Sequence, residues 1–291
     1  MPNYLTTREL AELLRIKERK VYDLVNSGSV PCTKATGKLL FPKEEIAEWL
    51  ERNSTPASTP AEKQRPVVFL GSHDPLLDWA LRESQCGIAT WFDGSADGLE
   101  RYANREGIAA GIHMFDPRST DWNLPFVSSA PAIRDAVVIA WAHRTRGLIA
   151  SPDDERRARS VADLAGRRIA PRQPKSGTQQ LFLHLLAEAG LREDMLDYCA
   201  PMRTEIDAAL AVLDGSADVT FGLQAVAQQH GLHFTALVDE RYDLVVSRAD
   251  WFDQPFQTFL DFCRSEDFRK KAAAMPGYDM SAVGKILYNA R

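Results

Sequence analysis

The chain has 291 residues, 45% of them hydrophobic and 26% charged, with a net charge of −5. That length is too great for one ordinary domain, and the composition excludes a disordered or fibrous protein. No apolar run of about 18 residues is present to span a bilayer, and the start, Met1-Pro2-Asn3-Tyr4, lacks the basic and apolar stretches of a signal peptide, so a cytoplasmic protein is expected.

Cys32, Cys86, Cys199 and Cys263 stand far apart with no CxxC pair, which predicts reduced, mostly buried thiols, no metal site and no cofactor. The charge is uneven. Residues 1–53 carry nine Lys/Arg against eight Asp/Glu, a net +1, which leaves −6 on the remainder. A near-neutral head is not by itself a nucleic-acid footprint, so any case for DNA rests on where its charges sit.

The first predicted helix opens at Thr6, with Glu9 placed to close a capping box, and carries Leu10, Leu13, Leu14 and Ile16 at helical spacing. A second helix is expected from about Lys17 to Asn26, with Val21, Leu24 and Val25 inward and Gly28 as its stop. Leu13, Val21 and Trp49 are read as core. Residues 30–41 predict two short strands about a turn at Thr36-Gly37. Pro42 is then expected to start a helix over 43–52, with Ile46, Trp49 and Leu50 on its apolar face. Helix, helix, basic-tipped hairpin and helix make a winged helix-turn-helix, in which a helix fits the major groove and the wing reaches phosphates.

The stretch from Leu5-Thr6 to Leu50 resembles the excisionase-type, MerR-like DNA-binding module. The match runs through Glu9, Ala11, Leu13, Leu14, Val21, Tyr22, Leu24, Gly28, Pro31, Gly37, Phe41, Ile46 and Trp49. It departs at Lys17, where the family usually has a capping Ser, and at Lys20, where Thr is common. The resemblance implies DNA contacts from Lys17, Glu18, Arg19, Lys20 and Tyr22 on the second helix, with Arg19 reading a base edge, and from Lys34 and Lys38 on the wing. So small a head implies a homodimer on an operator.

Residues 53–66 are polar, with prolines at 56, 60 and 66, and are expected to be a linker between a domain at 1–52 and one at 67–291. Beyond it, apolar runs at 67–70, 88–91, 108–112, 137–141, 168–170, 218–221, 234–238 and 244–246 alternate with helical stretches at 76–83, 98–104, 179–189 and 206–214. That pattern predicts an α/β body with largely parallel sheets. Three strand-to-helix turns carry small hydroxyl residues: Gly71-Ser72-His73-Asp74, Gly94-Ser95 and Ser176-Gly177-Thr178. Hydroxyls there are expected to cap helices and to leave donors free for an anion.

These turns, with Ala110-Gly111-Ile112-His113, Asn123-Leu124-Pro125-Phe126, Arg172-Gln173, Glu240 to Val246 and Pro276-Gly277-Tyr278-Asp279, resemble the periplasmic-binding-protein-like family of cytoplasmic regulators and molybdenum-cofactor proteins. The resemblance implies a two-lobed type 2 body, with lobe one over about 67–140 and 237–291 and lobe two over about 145–233. A ligand is expected in the cleft, on Ser72, Gly94, Ser95, Arg172, Ser176, Gly177 and Thr178, with His113, Asp116 and Tyr242 as further candidates. The family points to a molybdate- or tungstate-like oxyanion, or a small organic or sulfur-containing anion. Departures cluster at 171–179, where Pro174 and Gln179 replace arginines, and at Glu205, where the family often has His. The whole reads as a ligand-responsive transcription regulator. The alternatives are an accessory of molybdenum-cofactor metabolism whose head binds protein, and an enzyme using His73-Asp74 or His113 with Asp116 as acid–base pairs.

Overall fold

The computed structural model describes residues 4–35, 37–53, 64–156 and 158–290. The turn residue Thr36 and linker residues 54–63 lie outside them. The chain separates into two compact units, 1–64 and 65–291. Among the described residues no helix is long and apolar enough to cross a membrane.

In the smaller unit β1 (Tyr4–Thr6) leads into α1 (Thr7–Leu14), followed by α2 (Glu18–Asn26), β2 (Thr33–Ala35), β3 (Lys38–Pro42) and α3 (Lys43–Asn53). The capping box forms: the Glu9 amide donates to Thr6 Oγ1 at 3.3 Å, and the Thr6 amide donates to Glu9 Oε2 at 2.7 Å. Lys17 precedes α2 without a side-chain cap, and Gly28 takes φ +65°, which only glycine adopts freely. The strand order β1-β3-β2 makes a three-stranded antiparallel wing. β1 had no signal in the sequence, and Pro42 ends a strand rather than starting the helix. Leu10, Val21, Phe41 and Ile46 are buried, with Trp49 packed on them, but Leu13 is 55% exposed and Leu50 38%. Leu13 is therefore not core. The buried face of α1 is formed by Leu10 and Ala11 with Leu14 packed beside them, and Leu13 lies off that face.

The larger unit holds one sheet that passes through two lobes. Lobe one begins with β4 (Val68–Gly71), α4 (Pro75–Glu83), β5 (Ala89–Phe92), α5 (Ser95–Ala103) and β6 (Ala109–Ile112). A small hairpin, β7 (Phe115–Asp116) and β8 (Asp121–Trp122), and α6 (Leu124–Ser128) follow. The 15-residue β9 (Ala136–Ala150) carries the chain into lobe two: β10 (Arg168–Ala170), α7 (Gly177–Glu188), β11 (Asp197–Tyr198), α8 (Glu205–Leu213), β12 (Val219–Leu223) and α9 (Gln224–Gln229). The equally long β13 (His233–Ser247) returns it, and α10 (Gln254–Cys263), α11 (Glu266–Ala273), β14 (Tyr278–Asp279) and β15 (Ile286–Asn289) finish on lobe one.

The order β11-β10-β12-β9-β13-β6-β4-β5 shows how the lobes are joined. The outer strands of each lobe pair in parallel, as βαβ crossovers require, while β9 and β13 run antiparallel through the middle. The sheet is thus mixed rather than largely parallel. The runs at 234–238 and 244–246 are one strand with register shifts, and of the charged residues between them Glu240 and Asp243 are buried.

Each lobe has its own core: Phe69, Leu77, Trp141, Leu244, Phe256, Phe259 and Phe268 in one, Leu148, Leu164, Ile169, Phe182 and Phe221 in the other. All four cysteines are free; Cys86 and Cys263 are buried, and Cys32 is exposed.

Candidate functional site

A cavity of about 350 Å³ lies between the lobes, lined by Ser72, His73, Gly94 and His113 from lobe one and by Arg172, Ser176, Thr178 and Glu205 from lobe two, among others. The loops that precede α4, α5, α7 and α8, with the first turns of α7 and α8, reach it, so four helix N-termini border the space. In only one of the three sequence-marked turns does a hydroxyl cap the helix as expected: Ser176 Oγ accepts the Gln179 amide at 3.1 Å. Asp74, not Ser72, caps α4, and α5 starts at Gly94 with no side-chain cap.

Ser95 is fully buried beneath the wall: its Oγ accepts the His113 amide at 3.0 Å and lies 2.9 Å from Ser72 Oγ. Tyr242 is buried deeper still, its hydroxyl donating to the Ser72 carbonyl, and the absence of a side chain at Gly111 makes room for it. Ser95 and Tyr242 therefore support Ser72 and do not line the cavity. Gly177 lines an adjacent, more apolar chamber of about 420 Å³ with Met114, Phe115 and Phe126. The two chambers are divided where Gly177 meets His113: a Cβ at 177 would stand 2.4 Å from the His113 carbonyl oxygen. Asp93 and Arg203 pair across the lobes at 3.1 Å.

Beneath the cavity lies a buried ionic network with only a faint signal in the sequence. Arg144 and Arg146 alternate on β9 and so share one face. Glu240 on β13 stands opposite Arg144 and pairs with both guanidinium groups. Arg144 reaches on to Asp74 at 2.8 Å, where Trp141 Nε1 and the Tyr278 hydroxyl also donate. Arg146 reaches on to Glu205 at 2.8 Å, which also takes Arg172 at 3.0 Å and the Thr178 hydroxyl at 2.9 Å. Burial alone would raise the carboxyl of Glu240, but Arg144 and Arg146 hold it well below its ordinary value. For Glu205 burial works in the same upward sense, and Arg146 and Arg172 bring it down to about 2. Burial lowers His113 below its ordinary value, against the pull of Glu240, whose Oε2 accepts from His113 Nδ1 at 3.1 Å.

Two sequence expectations need correction here. Arg172 reaches the cavity, but its guanidinium is already bound by Glu205 and by the carbonyls of Met202 and Arg203. Neither proposed acid–base pair assembles among the described residues: Asp74 is held in the network, His113 pairs with Glu240, and Asp116 accepts from its own loop, at Arg118 and Ser119. Among the described residues no group of three or more His, Cys, Asp or Glu could hold a metal.

In the smaller unit Lys17, Glu18, Arg19, Lys20 and Tyr22 are exposed together along the start of α2, and Lys34 and Lys38 are exposed on the wing.

A two-lobed body with its cavity at helix N-termini defines a class, and comparison with known proteins agrees. The model of the PBP superfamily domain matches residues 79–264, and that of a helix-turn-helix domain matches residues 4–54. The chain belongs to the PBP superfamily and carries an excisionase-like helix-turn-helix domain at its N-terminus. It is 26% identical over 301 aligned positions to the uncharacterized protein YvgK of Bacillus subtilis (strain 168), covering 97% of each chain. It is 31% identical over 85 positions to an uncharacterized protein in the ferredoxin 2Fe-2S gene 5' region of Clostridium pasteurianum, covering 29% of this chain and 75% of that one. A phosphate-bound putative phosphate ABC transporter substrate-binding protein from Clostridium perfringens shares the fold, with TM-score 0.55 and 11% identity over 73% of this chain and 98% of that one.

Proposed function

We propose that the chain is a cytoplasmic, ligand-responsive transcription regulator, in which α2 enters the DNA major groove and a small polar ligand closes the two lobes. The observation that carries this reading is the pairing, in one chain, of an exposed basic helix start with an interlobe cavity lined from both sides. A ligand that fits the closed form better than the open one shifts the lobes by the difference in its affinities for them, and that difference sets the size of any effect on DNA. One small head offers few base contacts, so the reading includes a homodimer on a two-fold operator.

The ligand is held through the amides at the starts of α5 and α7 and the hydroxyls of Ser72 and Thr178. A molybdate- or tungstate-like oxyanion, or a small organic or sulfur-containing anion, is one version, supported by the helix N-termini; the presence of Glu205 among them weighs against it.

The test is binding of the full chain to DNA upstream of its own gene across a salt series. Contacts from Lys17, Arg19, Lys20, Lys34 and Lys38 predict a falling log–log dependence on salt, and Lys34→Ala reduces its slope by about one. Binding that ignores salt refutes the DNA reading and favours a protein partner for the head.

A further inference from the structure

Glu205 stands in a place built to bind an anion. Its Oε1 accepts from Arg146 on β9, Arg172 beside β10 and Thr178 on α7, at 2.8, 3.0 and 2.9 Å. Three donors from separate elements on one oxygen, two of them guanidinium groups, are what recognises a sulfate, phosphate or carboxylate oxygen. Here a side chain of the protein supplies that oxygen. Glu205 is 5% exposed, and its Oε2 is buried with no hydrogen-bond partner. A Cβ at position 222 would come within 3.2 Å of that atom, so Gly222 is part of the carboxylate's seat.

The charges close on themselves. Asp74, Glu240 and Glu205 balance Arg144, Arg146 and Arg172, which leaves the buried network neutral. Of the other charged side chains around the cavity, Arg203 is paired with Asp93, and Asp207 caps α8 through the Thr204 amide. Among the described residues that line this cavity no Lys or Arg is left unpaired, Lys175 lying instead on the adjoining chamber, and the carboxylate of Glu205 is ionised across the cellular pH range. An incoming dianion would meet helix N-termini, but it could reach the guanidinium groups of Arg146 and Arg172 only by displacing the carboxylate of Glu205, which would leave a buried charge unpaired. A molecule without net negative charge needs no such displacement. It finds the hydroxyl of Ser72, the start of α7 at Ser176 and Thr178, and an acceptor in Asp93.

We propose that Glu205 is a resident anion that occupies the guanidinium groups of the cleft, and that the ligand is a small polar molecule without net negative charge. This rests on the reading of the interlobe cavity as the ligand site. Removal of the charge should convert the cavity into an oxyanion site.

The experiment titrates the full-length chain, by calorimetry and thermal shift, with sodium molybdate, sodium sulfate and a panel of net-neutral probes comprising small amino acids, amides and polyols. In the wild type the dianions leave the melting temperature unchanged and a net-neutral probe raises it. Glu205→Gln, which keeps the shape and frees one positive charge, binds molybdate or sulfate at least about tenfold more tightly than the wild type, about 1.4 kcal/mol. Tight binding of either dianion by the wild type, or a folded Glu205→Gln with no such gain, overturns the proposal. Should Glu205→Gln fail to fold, the wild-type arm decides: stabilisation by a dianion overturns it, and stabilisation by a net-neutral probe alone supports it. Gly177→Ala separates the underlying reading, because a side chain there obstructs lobe closure. An unchanged response of this variant to the neutral probe removes the cleft as the ligand site, whereas a dianion response in the wild type removes only the resident anion.

Discussion

Replacing Glu240 by glutamine keeps the side chain's shape and removes its charge from the centre of the buried network. The carboxylate is fully buried, pairs with Arg144 and Arg146 and accepts from His113. Without it three guanidinium groups face only Asp74 and Glu205, and one positive charge stays buried without compensation. Removing one partner of such a pair costs about 3–5 kcal/mol, because the remaining charge keeps its desolvation penalty. For a domain of this size each kcal/mol lowers the melting temperature by about 2–4 °C, so a fall of about 6–20 °C is expected. Tryptophan fluorescence suits the assay, since all but Trp49 of the six tryptophans lie in the larger unit. Glu266→Gln is the control. It breaks an exposed pair with Lys270, 2.9 Å apart and four residues along the same helix, and should cost less than about 1 kcal/mol. A Glu240→Gln protein that melts with the control would show that the network is not electrostatically coupled and would remove the basis for the resident-anion argument.

Three further outcomes follow from the geometry. Gly177→Ala places a Cβ 2.4 Å from a backbone oxygen of the opposite lobe, so closure should cost about 1–3 kcal/mol and ligand affinity should fall about 5- to 150-fold with little change in the stability of the open form; calorimetry on an identified ligand checks it, and unchanged affinity refutes it. Acid should destabilise the larger unit. Glu205 is held at about 2 in the fold against an ordinary 4.5, so the unfolded chain takes its proton first, and this stabilisation is whole above about 4.5 and lost as the pH falls to about 2. His113, lowered by burial from 6.5, adds an earlier loss below that value, again because the unfolded state binds the proton first; urea midpoints measured from pH 7 to pH 3 should fall throughout, and a flat profile contradicts both assignments. In the head, Thr6→Ala removes the side-chain cap of α1 and should cost about 1 kcal/mol, read as an earlier loss of DNA binding on heating.

Much of the local structure was legible in the chain itself. Thr6 with Glu9 marked the first helix, Gly28 the stop after the second, and the apolar runs and hydroxyl turns marked most of the strand ends around the cleft, because each is a short-range consequence of backbone geometry. The same residues drew attention to the cavity: Ser72, Gly94, His113, Arg172, Ser176 and Thr178 all line it. What those residues do there was not legible. Ser95 and Tyr242 have the right chemistry but are turned into the wall. Arg172 reads as a free cation until Glu205, 33 positions away in the chain, is placed on it. Arg144, Arg146 and Glu240 look like surface charges that interrupt two strands, and only the antiparallel register of β9 on β13 buries them together between the lobes. Pairing across so many residues depends on tertiary register, which no local pattern encodes. The sequence alone determined a two-part chain with a DNA-binding type of head and a cleft. The tertiary structure decided that the cations of the cleft already hold an anion of their own.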